Sequence, residues 1–269
     1  MLDSRICLVT GAASGIGKAI SRVFMEHGAT VYGTDINYAE LATVAAQLNQ
    51  ELQRGRMESL AHDVADETRW TEIASDLKAE HSKLDVLVHN AGIGTGAPIE
   101  EMPTTLWKRQ IEVNLDNVFY GTKAMLRLLF EAEFGSVVII SSIAGLVGAP
   151  SLSGYSATKG AVRLFGKSIA LELAQSGRLL RVNTIHPGII DTPLWDRPER
   201  AGRLIAEKLE AINPADGRVD VRRVAAAAVP GGRVGSSIDV ANAALFLASD
   251  LSTYVTGAEI AVDWGQSAG

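Results

Sequence analysis

The sequence predicts an α/β protein, one doubly wound domain in which a parallel sheet of about seven strands carries helices on both faces. Short runs rich in β-branched residues alternate with longer helical patterns along the chain, which is the pattern of βαβ units. The runs VLV and VVII are apolar without alternation, as expected of strands buried on both faces. No repeat or low-complexity linker divides the 269 residues, so residues 1–269 are interpreted as a single domain.

The predicted elements follow one another regularly from the start of the chain. Strands are predicted at ICLVT, TVYGTD, MESLAHD, DVLVHN, SVVIIS, LRVNTIHP and EIAVD. Helices are predicted near residues 16–27, 38–52, 67–80, 104–133, 155–174 and 238–248. The fourth helix is expected to break near Asn114, because asparagine has a poor helix propensity. Ser236 or Ser237 is expected to cap the last helix.

Residues 193–231 interrupt this alternation. The segment contains four prolines, charged helical pieces and the Ala-rich run RRVAAAAV. Insertions of this length in a compact domain usually have a functional role. We expect a substrate lid here.

Composition and charge exclude several function classes. The formal net charge of −6 argues against a protein that binds nucleic acid by neutralising phosphates. Cys7 is the single cysteine and the five histidines are scattered, so neither an intramolecular disulfide nor a bound metal is expected. No stretch reaches the roughly 18 uncharged apolar residues of a membrane span. We therefore expect a cytoplasmic protein with a small-molecule substrate and no membrane or nucleic-acid partner.

A glycine-rich turn, TGAASGIG at residues 10–17, follows the first predicted strand and opens a helix. Glycines let the backbone approach a pyrophosphate, and the helix N-terminus supplies N–H donors. The candidate contacts in this loop are Gly11, Ser14, Gly15, Ile16 and Gly17. By itself the motif also fits an ordinary strand-to-helix turn.

Asp35 ends the second predicted strand and favours NAD as the cofactor. It follows Gly17 by roughly the 20 residues expected of a carboxylate that accepts hydrogen bonds from the adenosine ribose. A 2′-phosphate would meet this carboxylate at close range. The neighbours Thr34, Ile36 and Asn37 offer no compensating cation, so NAD is predicted over NADP.

Two further groups of residues end the third and fourth predicted strands, at the edge where open α/β sheets bind ligands. Asp63, followed by Val64, is placed to accept from an adenine amino group, although a helix cap or turn fits it equally well. The small residues and amide of NAG at positions 90–92 suit a cofactor edge or a plain turn.

Tyr155 and Lys159 are spaced i and i+4 at the start of a predicted helix, so both project from one face. A phenol has a pKa of about 10, and a nearby ammonium lowers it by favouring the phenolate. Lys159 would thereby tune Tyr155 as a proton-exchanging group. An amphipathic helix face has the same spacing.

Ser142 and Asn114 complete the candidate catalytic set. Ser142 ends the SVVIIS strand at the same sheet edge, where its hydroxyl can bond a substrate oxygen that Tyr155 protonates or deprotonates, while Ser141 should point to the other face. Asn114 is expected to bend its helix and to hold a water for proton exchange with Lys159. An exposed amide is the other interpretation of Asn114.

Taken in order, these motifs resemble the short-chain dehydrogenase/reductase family over essentially the whole chain. The matching residues are TGAASGIG, Asp35, Asp63, Val64, Asn90, Ala91, Gly92, Asn114, Ser142, Tyr155, Lys159, Pro187, Gly188 and the tail YVTGAEIAVD. The resemblance implies a Rossmann-fold homotetramer. It also implies that Tyr155 is the general acid/base, Ser142 orients the carbonyl and Asn114 completes the proton relay.

The resemblance further implies a set of cofactor contacts. Lys159 would bind the nicotinamide ribose, and the Ile190 backbone and Thr192 would hold the carboxamide. Pro187 and Gly188 belong to the same predicted cofactor site. The resemblance also places Ile16, Asp63, Val64 and Asn90 in contact with the cofactor. Two residues depart from the family pattern: His89, expected to be a polar strand-end residue, and Trp264, expected to alter a subunit contact or a pocket wall.

The predicted reaction is reversible hydride transfer between NAD and a secondary alcohol or ketone. The predicted substrate pocket is apolar and small, which favours an apolar cyclic, aryl or steroidal alcohol over a charged substrate; its residues are Gly94, Ile143, Leu152, Leu194 and Trp195. One alternative is a 3-oxoacyl-thioester reductase using NADPH, against which Asp35 counts. Another is a non-catalytic dinucleotide-sensing module, against which the complete catalytic set counts.

Overall fold

A seven-stranded parallel sheet forms the centre of the molecule, with the strand order β3-β2-β1-β4-β5-β6-β9. The computed structural model describes residues 1–195, 206–207, 210–213 and 217–268. The sheet strands are β1 (Ile6–Thr10), β2 (Thr30–Asp35), β3 (Arg56–Ala61), β4 (Val86–His89), β5 (Ser136–Ile140), β6 (Arg181–Pro187) and β9 (Glu259–Val262). A separate parallel pair joins β7 (Ile190–Asp191) and β8 (Gly235–Ser236).

Helices cover both faces of this sheet. Those within the described residues are α1 (Gly15–Glu26), α2 (Tyr38–Glu51), α3 (Glu67–His81), α4 (Thr104–Ile111), α5 (Asn117–Phe130), α6 (Ser153–Gln175), α7 (Val221–Ala228) and α8 (Ser237–Ala248). A π-helical segment, Glu112–Asp116, joins α4 to α5, so the predicted break near Asn114 is confirmed. In the part of the chain that the structure describes, no helix has both the length and the apolar character needed to cross a bilayer.

Successive residues of each strand enter two different cores, because side chains alternate across a sheet. In β1, Cys7 and Val9 join a core with α1, α2 and α8. Ile6 and Leu8 join a second core with α3, α5 and α6. Continuous apolar runs therefore make strands that are buried on both faces, and the predicted doubly wound sheet is confirmed.

Local sequence signals explain where several helices begin. The Asp66 carboxylate accepts hydrogen bonds from the backbone N–H groups of Thr68 and Arg69 and caps α3. Ser236 caps α8 as predicted, with its N–H and its hydroxyl donating to Asp239. One predicted boundary was wrong: β3 ends at Ala61, so Asp63 lies in the loop that follows it.

The predicted substrate lid at 193–231 is only partly described. Residues 196–205, 208–209 and 214–216 of this segment lie outside the described part of the chain. The remainder contributes to a third apolar cluster, formed by Ile189, Trp195, Ala206, Ala211, Val219, Val221, Val224, Ala225 and Val229. The lid function stays a prediction.

The strand order places a crevice between the carboxyl ends of β1 and β4. The chain runs outward from β1 to β2 and β3 on one side and from β4 to β9 on the other. Because the direction reverses there, the loops that follow β1 and β4 diverge and leave a crevice between them. Open α/β sheets bind their ligands in such a crevice. The glycine loop and the 90–92 segment meet there.

Candidate active site

The side chain of Asn90 ties the glycine loop to the end of β4. Its Nδ2 donates to the Thr10 carbonyl at 2.8 Å and to the Gly11 carbonyl at 3.2 Å. The backbone N–H groups of Asn90 and Ala91 both donate to Thr10 Oγ1 at 3.0 Å. This network fixes the entrance of the loop, so Asn90 shapes the crevice through the backbone that it holds.

The glycines of this loop serve two purposes: they allow backbone segments to approach each other closely, and they allow a positive φ. A Cβ on Gly17 would lie 2.1 Å from the Gly11 carbonyl oxygen, a distance that no side chain tolerates. Gly15 has φ +53°, and its missing Cβ would lie 3.5 Å from the side chain of Thr192. The structure thereby brings Thr192, which follows β7, against the loop. Together these residues form a narrow backbone cradle that fits the pyrophosphate of a dinucleotide.

Asp35 lies beside the cradle at the end of β2. Its Oδ2 accepts from the Ala13 N–H at 3.1 Å, and its Oδ1 accepts from the Asn37 N–H at 2.9 Å. These bonds fix the orientation of a partly exposed carboxylate beside the cradle. Its charge favours hydroxyl groups and disfavours a phosphate there.

Arg22, one of the two basic residues of α1, is paired with carboxylates. Arg22 forms ion pairs with Glu26 at 3.0 Å and with Glu51 at 2.9 Å. Both carboxylates would compete with any other anion for this guanidinium.

Asp63 is engaged on both sides of its carboxylate. Oδ1 accepts from the Ala65 N–H at 3.0 Å in a turn, and Oδ2 pairs with Arg109 of α4 at 3.4 Å. Asp66 rather than Asp63 caps α3. Neighbouring Val64 is buried in the second core, and its carbonyl accepts from the Trp70 indole at 3.0 Å. The sequence reasoning did not identify Arg109, because its partner is 46 residues away along the chain.

The structure brings Tyr155 and Lys159 together at the start of α6. Lys159 Nζ lies 5.8 Å from the centroid of the Tyr155 ring and donates to the Ile140 carbonyl at 2.9 Å. The Lys159 side chain is buried, and desolvation lowers its pKa from 10.5 to about 8. An ammonium with this pKa is still mostly protonated at neutral pH. It therefore provides a positive charge near the phenol.

Asn114 lies in the π-helical segment and is 1% exposed, so the interpretation as an exposed amide was wrong. Its Oδ1 accepts from the Ile93 N–H at 2.8 Å, and its Nδ2 donates to the Ile93 carbonyl at 2.9 Å and to Thr158 Oγ1 at 3.1 Å. A Cβ on Gly92 would lie 3.2 Å from Asn114 Oδ1 and 3.5 Å from Lys159 Nζ. Asn114 and Lys159 thus flank Gly92, and the role of Asn114 in holding a water stays a prediction.

Ser142 follows β5 at the same sheet edge. Its Oγ accepts from the Ala144 N–H at 3.1 Å, which leaves the hydroxyl hydrogen to be donated to another group. Ser141 points away as expected, with its hydroxyl donating to the Lys159 carbonyl at 2.9 Å. The Ser142 carbonyl accepts from His186 Nδ1 at 3.1 Å, a contact that sequence spacing did not reveal.

Among the predicted pocket residues, Gly94 and Leu194 lie beside Tyr155. A Cβ on Gly94 would lie 3.6 Å from Leu194 Cδ2 and 3.7 Å from Tyr155 Cε2. Ile143 begins the short helical turn after Ser142, and Leu152 is buried just before α6. The fifth residue is Trp195, whose place in the pocket stays a prediction. Its indole is buried in the third apolar cluster and donates to the Ile190 carbonyl at 2.8 Å.

The remaining candidate cofactor contacts lie near the end of β6. Pro187 is its last residue, and the Gly188 N–H donates to the Val262 carbonyl at 3.0 Å. A Cβ on Gly188 would lie 2.8 Å from the Asp263 side chain, so this glycine is needed for contact with the carboxyl-terminal segment. Ile190 is buried in β7.

The two residues that depart from the family pattern lie in different surroundings. His89 is buried, with Nε2 3.1 Å from Thr122 Oγ1 and its ring beside Trp70. Trp264 is 60% exposed, has φ +53° and stacks against the Arg233 guanidinium at 4.4 Å.

Comparison with known proteins adds to this geometry. Residues 5–201 match the family model described as short chain dehydrogenase, and residues 208–267 match one described as enoyl-(acyl carrier protein) reductase. The chain is 36% identical to a cyclopentanol dehydrogenase of Comamonas sp. (strain NCIMB 9872), over 99% of this chain and 98% of that protein. It is 35% identical to an NADP-dependent (R)-specific alcohol dehydrogenase of Lentilactobacillus kefiri, over 99% and 98%.

A third relative is a 3-alpha-(or 20-beta)-hydroxysteroid dehydrogenase of Mycobacterium tuberculosis (strain ATCC 25618 / H37Rv). The chain is 38% identical to it, over 100% of this chain and 91% of that protein. The similarity to these dehydrogenases therefore extends over nearly the whole chain, including the cradle and the Tyr155 and Lys159 pair.

Proposed function

Because the chain belongs to the short-chain dehydrogenase/reductase family and is an oxidoreductase acting on CH–OH groups, we propose that it transfers hydride between NAD and an apolar secondary alcohol or ketone. One observation carries this proposal. The buried Lys159 ammonium, Tyr155 and Ser142 gather at the sheet edge that also carries the glycine cradle and Asp35.

Proton transfer in this proposal is carried out by Tyr155. The Lys159 charge 5.8 Å from its ring favours the phenolate, so Tyr155 accepts the alcohol proton during oxidation and returns it during reduction. Ser142 donates its hydroxyl hydrogen to the substrate oxygen and stabilises developing negative charge there. When bound, the nicotinamide accepts or supplies the hydride.

The choice of NAD rests on Asp35 and on the pairing of Arg22 with Glu26 and Glu51. A relative of similar identity is named as NADP-dependent, so overall similarity does not separate the two cofactors. The local charges support NAD, because a carboxylate at the ribose repels a 2′-phosphate and a cation attracts it.

For the substrate we propose an apolar cyclic, aryl or steroidal alcohol. Gly94 leaves space between Leu194 and Tyr155, and apolar walls with few polar groups suit an uncharged ring system. Two relatives are named for cyclopentanol and for hydroxysteroids, which supports the same substrate class. We also propose a homotetramer, on the family resemblance.

The decisive experiment compares the wild type with Tyr155→Phe. NAD and NADP are offered separately with cyclic, aryl and steroidal secondary alcohols, and reduced nicotinamide is followed by absorbance. We expect the wild type to use NAD, and Tyr155→Phe to lower kcat by about 10²–10⁴-fold because the acid/base is lost. NAD binding, measured by calorimetry, should stay within a few-fold.

The matched control is Tyr254→Phe, which removes a hydroxyl from a fully exposed tyrosine and should leave turnover unchanged. Surviving turnover in Tyr155→Phe would refute the acid/base assignment. Activity with NADP alone would refute the Asp35 argument. Activity with NADPH on a 3-oxoacyl thioester would favour the reductase alternative, and NAD binding without turnover would favour a sensing module.

A further inference from the structure

A buried histidine lies directly behind Ser142. His186 belongs to β6 and has no exposed surface. Its Nδ1 lies 3.1 Å from the Ser142 carbonyl oxygen, and its Nε2 lies 2.9 Å from Thr184 Oγ1. Both ring nitrogens therefore have a partner, and one of these partners is the backbone of a proposed catalytic residue.

These partners determine the tautomer of His186. A carbonyl oxygen only accepts, so Nδ1 must carry the hydrogen. Nε2 then accepts from the Thr184 hydroxyl at 2.9 Å, a shorter contact than the 3.4 Å between that hydroxyl and its other acceptor, the Ala258 carbonyl. Burial lowers the pKa of His186 and favours this neutral form. The histidine thus gives one directed donor to Ser142 and is oriented on its other side by Thr184.

The end of β5 is held at three successive positions. The Ile140 carbonyl accepts from Lys159 Nζ at 2.9 Å, and the Ser141 N–H donates to the Ile185 carbonyl at 2.8 Å. The Ser142 carbonyl accepts from His186. Beyond Ser142 the chain leaves the sheet for a short helical turn, whose Gly145 N–H also donates to the Ser142 carbonyl at 2.9 Å. The His186 bond is therefore the last of these three bonds that ties the end of β5 to a neighbouring element.

The bond also determines where the Ser142 hydroxyl lies. The carbonyl of Ser142 accepts from His186 Nδ1 at 3.1 Å and from the Gly145 N–H of the following turn at 2.9 Å, and its Oγ accepts from the Ala144 N–H at 3.1 Å. Of these bonds, the one from His186 is the one that ties the residue to the sheet. With both ends of the residue held, the remaining freedom is rotation of the hydroxyl hydrogen. Pre-positioned donors lower a barrier because they need no reorganisation when charge develops.

We propose that His186 is a positioning residue, which holds the Ser142 carbonyl through Nδ1 and so orients the Ser142 hydroxyl toward the substrate oxygen. This inference rests on the proposed function, in which Ser142 binds that oxygen. It assigns His186 no contact with the substrate and no proton transfer.

The first test does not depend on turnover. In protein labelled with ¹⁵N-histidine, NMR distinguishes the two neutral tautomers by their ring nitrogen shifts. We expect His186 to carry its hydrogen on Nδ1 at neutral pH. Hydrogen on Nε2 would overturn the proposal, since Nδ1 could then not donate to Ser142.

The second test is a double-mutant cycle with His186→Leu and Ser142→Ala. If His186 acts through the Ser142 hydroxyl, His186→Leu should lower kcat about tenfold in the wild type and less than twofold in Ser142→Ala. The affinity for NAD should stay the same in all four proteins. Equal losses in both backgrounds would mean a general structural effect and would overturn the proposal.

Two further variants separate positioning from packing. His186→Asn retains an N–H donor attached to Cγ, as in the histidine ring, and should recover most of the lost kcat even if His186→Leu folds poorly. Thr184→Val removes the hydroxyl that orients His186, at nearly constant volume, and should lower kcat by less than His186→Leu because the Nδ1 bond to Ser142 remains. If His186→Asn is as slow as His186→Leu while both are folded, the proposal fails.

A wild type that turns over no alcohol would refute the proposed function, and the tautomer measurement would still test the Nδ1 bond.

Discussion

At the scale of single residues, two charged side chains, Asp35 and Lys159, define the electrostatics of the crevice. Asp35 keeps a partly exposed carboxylate beside the cradle, oriented by two backbone N–H groups. Lys159 keeps a buried ammonium near Tyr155, with the Ile140 carbonyl as its hydrogen-bond acceptor. Burial lowers the pKa of Lys159, yet the charge persists at neutral pH and is little screened there. In the proposed site, the cofactor therefore meets the Asp35 carboxylate and the phenol of Tyr155 meets the Lys159 ammonium, each held in a fixed position.

Asp35→Asn tests the cofactor argument at this scale. The amide still accepts from one backbone N–H, but the charge-assisted bonds to the ribose are lost, worth about 1.5–3 kcal/mol. We expect kcat/KM for NAD to fall by roughly 10- to 100-fold and kcat/KM for NADP to rise. Steady-state kinetics with both cofactors measures this change.

Asp66→Asn is the matched control, because Asp66 caps α3 and is not part of the proposed cofactor site. It should leave the ratio of the two cofactor efficiencies unchanged. Parallel losses for NAD and NADP in Asp35→Asn would show that Asp35 supports the loop without selecting the cofactor.

At the scale of elements, close helix packing surrounds the site. The π-helical segment carries Asn114 inward to the backbone of Ile93. About two turns further along, Gly121 of α5 lets Trp70 and His89 approach, since a Cβ there would lie 2.6 Å from both rings. Because Gly121 has no side chain, α3, α5 and β4 pack closely there. This packing supports β4, the strand that leads into Asn90.

Gly121→Ala is expected to destabilise the protein. The new methyl group must displace two buried rings, and overpacking of this kind costs about 1–3 kcal/mol, more than the helix propensity that alanine adds. The matched control is Gly160→Ala in α6, where a Cβ would lie 3.8 Å from its nearest neighbour. That variant should be neutral or more stable, by up to about 1 kcal/mol. Urea unfolding of both measures the difference, and equal stabilities would contradict the packing argument.

At the scale of the whole molecule, buried histidines couple stability to pH. Desolvation lowers the pKa of His62 to about 4 and that of His89 to about 3, whereas an unfolded histidine titrates near 6.5. Between these values the unfolded chain binds more protons than the folded one. The contribution of these two neutral histidines to the free energy of unfolding is therefore complete only above about pH 6.5. It decreases as the pH falls from there toward their folded pKa values.

We predict a loss of about 2 kcal/mol for each of these two histidines between pH 7 and pH 5. Urea unfolding at a series of pH values measures the loss. In His89→Asn the part of the slope that belongs to His89 should disappear, whatever the variant's stability at pH 7. An unchanged slope in this variant would show that His89 is protonated in the folded state.

The sequence by itself determined the doubly wound parallel sheet, the break near Asn114, the glycine loop and the spacing of Tyr155 and Lys159, because each depends on neighbours within one strand or one helical turn. Only the tertiary structure decided which residues meet across the chain: Asn90 with the glycine loop, Arg109 with Asp63, and His186 with Ser142. It also placed the Trp195 indole in a buried cluster. Contacts between distant segments depend on how strands are ordered and helices packed, and residue spacing along the chain does not contain that order.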